Sequence, residues 1–321
     1  MTVTIKDLAK ETGLANATIS AYLNGVPVRE YNKVKIEEAV KKLGYIRNDY
    51  ARGLKTHRSG TVGVLIPELS SVFSTAIITE IEERLREQGY GIIVCDCRTD
   101  IKREEESVRF LLSKMVDGLI IMPVSADKKA FALAVQKNIP VVVLDRLTDS
   151  EDVSHIVINN REISRLATLR ILAKGRRKVA LINGNTEIYT ARERQEGFKD
   201  AMSAAGLYDE NLVENGGFSV EGGYLAVKQI LKRAPDTDAF FVTNYEMTIG
   251  SLIALNEEGR RIGRDIDFTG FDKVEITRAF LPAVETVNQP LNRIGAVAAQ
   301  TLIGMINGDK PVNVTLEAEI I

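Results

Sequence analysis

The stretch Thr4–Gly25 reads TIKDLAKETGLANATISAYLNG and predicts two short helices joined by a tight turn. Thr4 and Asp7 have the spacing of a capping box, which starts a helix. Apolar residues then recur at helical spacing as far as Gly13, where a glycine cap can end the helix. A second helix is predicted over residues 17–24, with its apolar side chains on one face.

A third amphipathic stretch follows, in which Ile36, Ala39, Val40 and Leu43 face inward and lysines face outward. Three short helices with a tight turn between the first two form the helix-turn-helix layout. The second helix of that motif can enter the DNA major groove. The periodicity alone is equally typical of a small three-helix module with no DNA role.

The charges are unevenly distributed along the chain. Residues 1–59 contain 11 Lys or Arg and 6 Asp or Glu, whereas the remaining residues contain 31 and 38. A basic head on an acidic body favours contact between the head and a polyanion, although chance variation explains the same numbers.

Composition argues against several functional classes. The two cysteines, Cys95 and Cys97, and the two histidines, His57 and His155, do not have the spacing of a metal site. The N-terminus lacks the apolar core of a signal peptide, and no apolar run is long enough to span a bilayer. We therefore expect a cytoplasmic protein with no metal, no cofactor and no membrane segment.

From Gly60 the pattern changes to apolar runs that alternate with longer helical stretches. Continuous Val, Ile and Leu runs between helices indicate buried parallel strands in a doubly wound sheet, and two sets of them indicate two α/β lobes. The runs are Thr61–Ile66, Gly91–Cys95, Gly118–Met122, Val141–Leu144, Ile156–Ile158, Val179–Ile182, Ala239–Val242 and Asp267–Gly270.

Several polar residues come directly after these runs, where ligands bind in open α/β sheets. Asp145, Asn244 and Asp272 each follow a strand, and Arg194 lies in the first turn of a predicted helix. Carboxylates and arginine suit sugar hydroxyls, because they make charge-assisted hydrogen bonds. Each also has a plainer explanation: a strand-end Asp or Asn often caps a helix, and a first-turn Arg is often solvated.

Short segments along the whole chain resemble the lactose-repressor/galactose-repressor (LacI/GalR) family. They are Thr4–Ala9 (TIKDLA), Ala17–Ser20 (ATIS), Leu23–Gly25 (LNG), Leu43–Tyr45 (LGY) and Asn48–Lys55 (NDYARGLK). The resemblance implies an all-α helix-turn-helix headpiece plus an α/β periplasmic-binding-protein-like core of two doubly wound parallel-sheet lobes.

The resemblance also implies a domain plan. The headpiece covers residues 1–46, a hinge helix and linker cover 47–59, and an effector-binding and dimerisation core covers 60–321. Within the core, lobe one is expected at about 60–158 and 288–313, and lobe two at about 159–287 and 314–321, linked by three crossovers.

The same resemblance assigns DNA contacts to positions in the headpiece and hinge. Asn16, Ala17 and Ala21 are expected to read base edges, and Leu54 to wedge into the minor groove. The remaining DNA-binding positions are expected to contact the phosphate backbone or lie in the hinge; they are Thr4, Thr18, Ser20, Asn24, Asn32 and Arg52. Ala21 stands where the family often has Arg, so we expect an unusual operator half-site, with Asn16 reading adenine.

In the core, the resemblance implies a small effector bound between the lobes. The expected binding residues are Phe73, Asp145, Arg194, Phe218, Asn244 and Asp272. We expect a repressor of carbohydrate-utilisation genes that binds a sugar or sugar phosphate and acts as a homodimer on a pseudo-palindromic operator.

Other interpretations remain open at this point. A repressor that responds to a purine or to a protein co-repressor is the alternative. A sugar-binding protein without a DNA role would not need the basic headpiece. Asp145 and Asp272 could in principle form a glycosidase pair, but no phosphate loop, nucleophile or metal set supports an enzyme.

Overall fold

A computed structural model describes residues 3–23, 25–45, 58–125, 129–272 and 284–321. The chain divides into two compact units, residues 1–59 and residues 60–321. None of the helices in the described ranges is long and apolar enough to cross a bilayer.

The N-terminal unit contains three helices, α1 (Ile5–Thr12), α2 (Asn16–Leu23) and α3 (Glu30–Leu43). At the start of α1, the Thr4 backbone N–H donates to Asp7 Oδ2 at 2.8 Å, as the capping pattern predicts. Gly13 ends α1 with a φ of 69°, a left-handed conformation that glycine adopts without strain. The helices enclose a small core of Leu8, Ile19, Ile36 and Ala39, so the unit is held together by few apolar side chains.

The first lobe of the C-terminal unit is built on a parallel six-stranded sheet in the order β11-β5-β4-β3-β1-β2. Its strands are β1 (Thr61–Ile66), β2 (Gly91–Asp96), β3 (Gly118–Ile121), β4 (Val141–Leu144), β5 (Ser154–Ile158) and β11 (Asn313–Leu316). Its helices are α4 (Val72–Glu87), α5 (Ile101–Ser113), α6 (Lys129–Gln136) and α11 (Leu291–Ile306).

Side chains of the sheet in the first lobe alternate between two buried faces. Val62 and Val64 pack in the cluster that includes α4 and α11, whereas Leu65 packs with α5 and α6. Both faces are covered, which explains why β1, β3 and β4 are apolar along nearly their whole length.

The second lobe repeats this plan with a sheet in the order β12-β10-β9-β8-β6-β7, in which only β12 runs antiparallel to its neighbour. Its strands are β6 (Val179–Asn183), β7 (Val213–Asn215), β8 (Ala239–Val242), β9 (Asp267–Phe271), β10 (Glu285–Asn288) and β12 (Glu319–Ile320). Its helices are α7 (Asn160–Ala173), α8 (Tyr189–Ala204), α9 (Val220–Arg233) and α10 (Tyr245–Glu257), with a short 3-10 turn at Glu210–Leu212.

Two glycines let helices of the second lobe touch backbone to backbone. A Cβ on Gly197 of α8 would lie 2.1 Å from the Arg161 carbonyl oxygen of α7. A Cβ on Gly250 of α10 would lie 1.8 Å from the Val220 carbonyl oxygen of α9. No side chain fits at either position, so glycine sets how closely these helix pairs pack.

The chain passes between the lobes three times, after β5, after β10 and between β11 and β12. The position of the last passage differs from the one expected from the sequence, which lies between residues 313 and 314. Residues 313–316 pair with β5 of the first lobe, from Asn313 opposite His155 to Leu316 opposite Ile158. The chain therefore leaves the first lobe after Leu316. Two apolar runs that lie this close together have the same pattern in the sequence, so the sequence does not show which sheet each of them joins.

Candidate functional site

A cavity of about 230 Å³ lies where the carboxyl ends of the strands of both lobes meet. Typical sites for drug-sized ligands occupy roughly 300–1,000 Å³, so this cavity is sized for one small metabolite. It is lined by Pro67, Glu68, Ser71, Phe73, Ser74, Thr99, Met122, Asp145, Arg146, Ile188, Thr190, Arg194, Gly217, Phe218, Asn244, Glu246, Asp272 and Gln289. All six effector-binding residues expected from the sequence are in this set.

Asp145 and Asp272 occupy equivalent positions in the two lobes. Asp145 directly follows β4 and donates its backbone N–H to Ile156 O at 3.0 Å, whereas Asp272 follows β9 and donates to Val287 O at 2.7 Å. Both residues have a left-handed backbone conformation, with φ angles of 66° and 65°. Such backbone is uncommon for residues other than glycine, and its concentration at a cavity is typical of functional sites.

Arg194 is held in place by hydrogen bonds to two other segments of the second lobe. Its Nε donates to Asn160 Oδ1 at 2.8 Å and its Nη1 donates to Thr243 O at 2.6 Å. The guanidinium also lies 3.7 Å from the centroid of the Phe271 ring. Only 4% of the residue is exposed, so the group is rigidly placed at the cavity wall rather than solvated.

Burial dominates the electrostatics of this site. It raises the pKa of Asp272 to about 6, although Arg194 and the bond from Gln289 Nε2 oppose the shift. Burial also raises the pKa of Asp145, against the pull of Arg194 and Arg146. The pKa values of Arg146 and Arg194 are lowered by the same loss of water. The wall is thus a desolvated charge network, which strengthens hydrogen bonds to a ligand that displaces the remaining water.

The titration of Asp272 predicts a pH effect on stability. Its folded pKa of about 6 exceeds the ordinary aspartate value of 3.8, so stability present below pH 4 is lost as the pH rises through 6. The shift corresponds to about 3 kcal/mol. Asp272→Asn should therefore gain free energy of unfolding relative to the parent protein between pH 4 and pH 7, measured by denaturant unfolding at each pH.

A control of opposite sign is available in the same lobe. Asp265 is half-buried and its hydrogen bonds with Arg261 lower its pKa, so Asp265→Asn should lose stability relative to the parent protein as the pH rises. Parallel pH profiles for the parent protein and Asp272→Asn would contradict the buried-carboxylate assignment.

The other predicted effector residues differ in how free their side chains are. Phe73 and Phe218 are half-buried at the cavity, and Phe218 is also left-handed, with φ of 57°. Asn244 caps α10, because its Oδ1 accepts the Met247 N–H at 2.9 Å. Its Nδ2 donates to Glu246, so both polar atoms of this amide have partners within the protein. This favours a role as a helix cap.

Sequence reasoning missed two buried groups in the cavity. Arg146 is 9% exposed and its Nη1 has no hydrogen-bond partner among the described residues; the same is true of Gln289 Oε1. Buried polar atoms are rarely left unpaired, so these atoms suit an acceptor and a donor on a ligand. The signal for Arg146 was its place directly after Asp145. Gln289 follows β10, which the strand pattern did not reveal.

The described DNA-contact candidates lie at or on the three N-terminal helices. Asn16, Ala17, Thr18, Ser20 and Ala21 belong to α2, and Asn32 lies in α3. Thr4 precedes α1, where its hydroxyl donates to Asp7 Oδ2 at 2.7 Å. Asn24, Arg52, Leu54 and most of the expected hinge lie outside the described residues. The DNA roles of all these residues remain predictions.

The C-terminal unit has the architecture of a two-lobed α/β binding protein, with its ligand cavity at the strand ends between the lobes. Residues 59–320 match the family model described as periplasmic binding proteins and sugar binding domain of LacI family. The chain therefore belongs to the LacI family.

Relatives match along nearly the whole chain. It is 31% identical over 306 residues to the HTH-type transcriptional repressor PurR of Vibrio atlanticus, covering 94% of this chain and 92% of that protein. It is 30% identical over 328 residues to the HTH-type transcriptional regulator CelR of Thermobifida fusca, covering 99% and 96%.

Solved structures agree. The lac repressor dimer bound to operator and the anti-inducer ONPF has a TM-score of 0.89 at 26% identity, covering 100% of this chain and 98% of that chain. A CelR–cellobiose complex has a TM-score of 0.76 at 29% identity, covering 99% and 98%.

Proposed function

We propose that this protein is a sequence-specific DNA-binding transcriptional regulator, not an enzyme, that represses carbohydrate-utilisation genes in the cytoplasm. Its operator affinity is controlled by a small effector in the cavity between the lobes. The observation that carries the proposal is the cavity itself, in which Asp145 of one lobe and Asp272 and Arg194 of the other converge. Relatives named as transcriptional repressors and regulators over the full length of the chain support the regulatory role.

The charge of the cavity favours an uncharged sugar over a sugar phosphate. Its wall contains the carboxylates of Glu68, Asp145, Glu246 and Asp272, and two guanidinium groups, those of Arg146 and Arg194. A phosphate would bring further negative charge to a wall that is already acidic, and repulsion is strong where water is excluded. Hydroxyl groups can instead donate to the carboxylates and accept from the guanidinium groups. The half-buried Phe73 and Phe218 rings suit the apolar face of a pyranose.

The effector proposal is tested by calorimetry against matched pairs of ligands. Neutral mono- and disaccharides, their phosphorylated forms, and purine bases are titrated into the full-length protein. We expect binding by at least one neutral sugar and none by its phosphate. Binding by purines alone would replace the sugar with a purine, and no binding by any of these ligands would contradict a small effector and favour a protein co-repressor.

For the N-terminal unit, we propose that α1 and α2 form a helix-turn-helix whose second helix enters the major groove. The full-length likeness to the operator-bound lac repressor supports this. Residues 1–46 would be the headpiece and residues 47–59 the hinge, followed by the effector and dimerisation core. The active form would be a homodimer on a pseudo-palindrome, which sedimentation of the protein with and without operator DNA would establish.

The base-reading role of Asn16 gives a specific prediction. Asn16→Ala should lose about 1–3 kcal/mol of affinity for every operator that keeps the base pair Asn16 reads, whereas it should bind operators changed at that base pair about as well as the parent protein does. Binding is measured across a set of single-base operator variants.

Asn32→Ala is the matched control. Asn32 is expected to bind phosphate, so its loss should weaken binding to all sequences alike. If Asn16→Ala produced that same uniform loss, Asn16 would not read a base.

Ligand control then follows from linkage. An effector that touches both lobes stabilises one arrangement of the lobes over others. If that arrangement also changes how two headpieces are presented to DNA, the effector must change operator affinity, and operator must change effector affinity by the same factor.

A further inference from the structure

The outward-facing ridge of α2 consists of two alanines. Ile19 is fully buried in the core of the N-terminal unit. At roughly 100° per residue, the direction opposite Ile19 falls between Ala17 and Ala21, which lie one turn apart. Ala17 is exposed and Ala21 is half-buried. The part of the helix that projects furthest from the core therefore presents methyl groups.

The rest of α2 cannot read a G·C pair by the usual strong contacts. Its sequence, NATISAYL, contains no Lys, Arg, Asp or Glu. It therefore has neither a bidentate donor for guanine nor a carboxylate for the cytosine amino group. The Tyr22 hydroxyl is also engaged within the unit, because it donates to Glu37 Oε1 of α3 at 2.6 Å. Asn16, exposed at the N-terminus of the helix, has the amide that matches adenine.

We propose that α2 reads A·T pairs by apolar contact, with the methyl groups of Ala17 and Ala21 against the C5 methyl groups of thymines and Asn16 on adenine. The operator half-site is then A·T-rich where α2 enters the groove. This inference rests on the proposed DNA-binding function and specifies which bases that function recognises.

The physical basis is the burial of methyl groups. Alanine is short, so the helix backbone can approach the floor of the groove closely, and two facing methyl groups then exclude water between them. Only thymine carries a methyl group in the major groove. Burial of one methyl group contributes about 0.8 kcal/mol to the binding free energy, so its removal should weaken binding about fourfold.

The test uses DNA in which thymine is replaced by deoxyuridine, which pairs identically and lacks only the methyl group. The full-length protein first selects its site from random duplexes. Each thymine of the selected site is then replaced singly, and affinity is measured by fluorescence anisotropy. We expect about a fourfold weakening at one or two positions per half-site and no change at thymines in the flanking sequence.

A protein variant links the effect to its residue. In Ala21→Gly, the ratio of affinities for thymine and uracil DNA should approach one at the position that Ala21 contacts. Because both affinities are measured on the same variant, any loss of helix stability cancels in the ratio. An equal ratio in the parent protein at every position, or selection of G·C pairs in the region that α2 contacts, would overturn the inference. A failure to select any sequence would instead refute the proposed function itself.

Discussion

Replacing Arg194 by lysine is expected to weaken effector binding by about 100-fold or more. Lysine keeps the positive charge but cannot bond Asn160 and the Thr243 carbonyl oxygen while facing the cavity, as the guanidinium does. Disrupting a hydrogen-bonded charge in a buried site of this kind typically costs 2–5 kcal/mol. The measurement is calorimetric titration of the sugar identified in the ligand panel.

The same helix supplies a matched control. The Arg192 side chain is 49% exposed, makes a 3.8 Å ion pair with Glu193 and lies 5.8 Å from the centroid of the Tyr189 ring. Arg192→Lys should therefore leave effector affinity within about twofold of the parent protein, since exposed pairs contribute little. Thermal unfolding of both variants separates a binding defect from a folding defect. Full effector affinity in a folded Arg194→Lys protein would show that the cavity wall is not the binding site.

The second large effect is on the free energy of unfolding. A change from glycine to alanine inside a helix usually stabilises a protein, whereas at Gly250 we expect it to destabilise the protein. Gly250 lies inside α10, where alanine would normally add up to about 1 kcal/mol of helix stability. In this structure the new Cβ would lie 1.8 Å from the Val220 carbonyl oxygen, so α9 and α10 must separate. We expect Gly250→Ala to lose about 3 kcal/mol of unfolding free energy, the upper end of overpacking effects. Denaturant unfolding of the full chain measures it.

Gly91→Ala is the control for Gly250→Ala. Gly91 is exposed at the start of β2, and a Cβ there would meet nothing within 4 Å. Its unfolding free energy should stay within about 0.5 kcal/mol of the parent protein. A Gly250→Ala protein as stable as Gly91→Ala would mean that the two helices do not pack as closely as the structure has them.

Sequence patterns predicted the parts of the core that depend on local periodicity. Strands buried on both faces are apolar throughout, so β1, β4 and β8 were predicted with the bounds the structure shows. The residues that follow such strands, Asp145 and Asp272, could be placed at a common edge because parallel sheets bring their carboxyl ends together.

Features that depend on tertiary pairing were not predictable in this way. β7 (Val213–Asn215) and β10 (Glu285–Asn288) are short and partly polar, so neither contains the continuous apolar run by which the other strands were predicted. The pairing of residues 313–316 with the first lobe is set by the partner strand, which periodicity does not encode.

Within the site, the sequence could nominate residues but could not show which of their atoms are free. Asn244 satisfies a helix end, whereas Arg146 has a buried donor with no partner in the part of the chain that the structure describes. That difference arises only when distant segments meet around the cavity. The backbone strain at Phe218 is likewise visible only in three dimensions.

If a ligand in the cavity controls the affinity for DNA, operator binding must depend on the sugar identified by calorimetry. Operator binding is measured by fluorescence anisotropy at increasing concentrations of that sugar. Saturating sugar is expected to change the operator affinity by about fivefold or more, the change should follow occupancy of the cavity, and Arg194→Lys should abolish it at the same sugar concentration. An operator affinity that stays constant from zero to saturating sugar would show that the cavity does not control DNA binding.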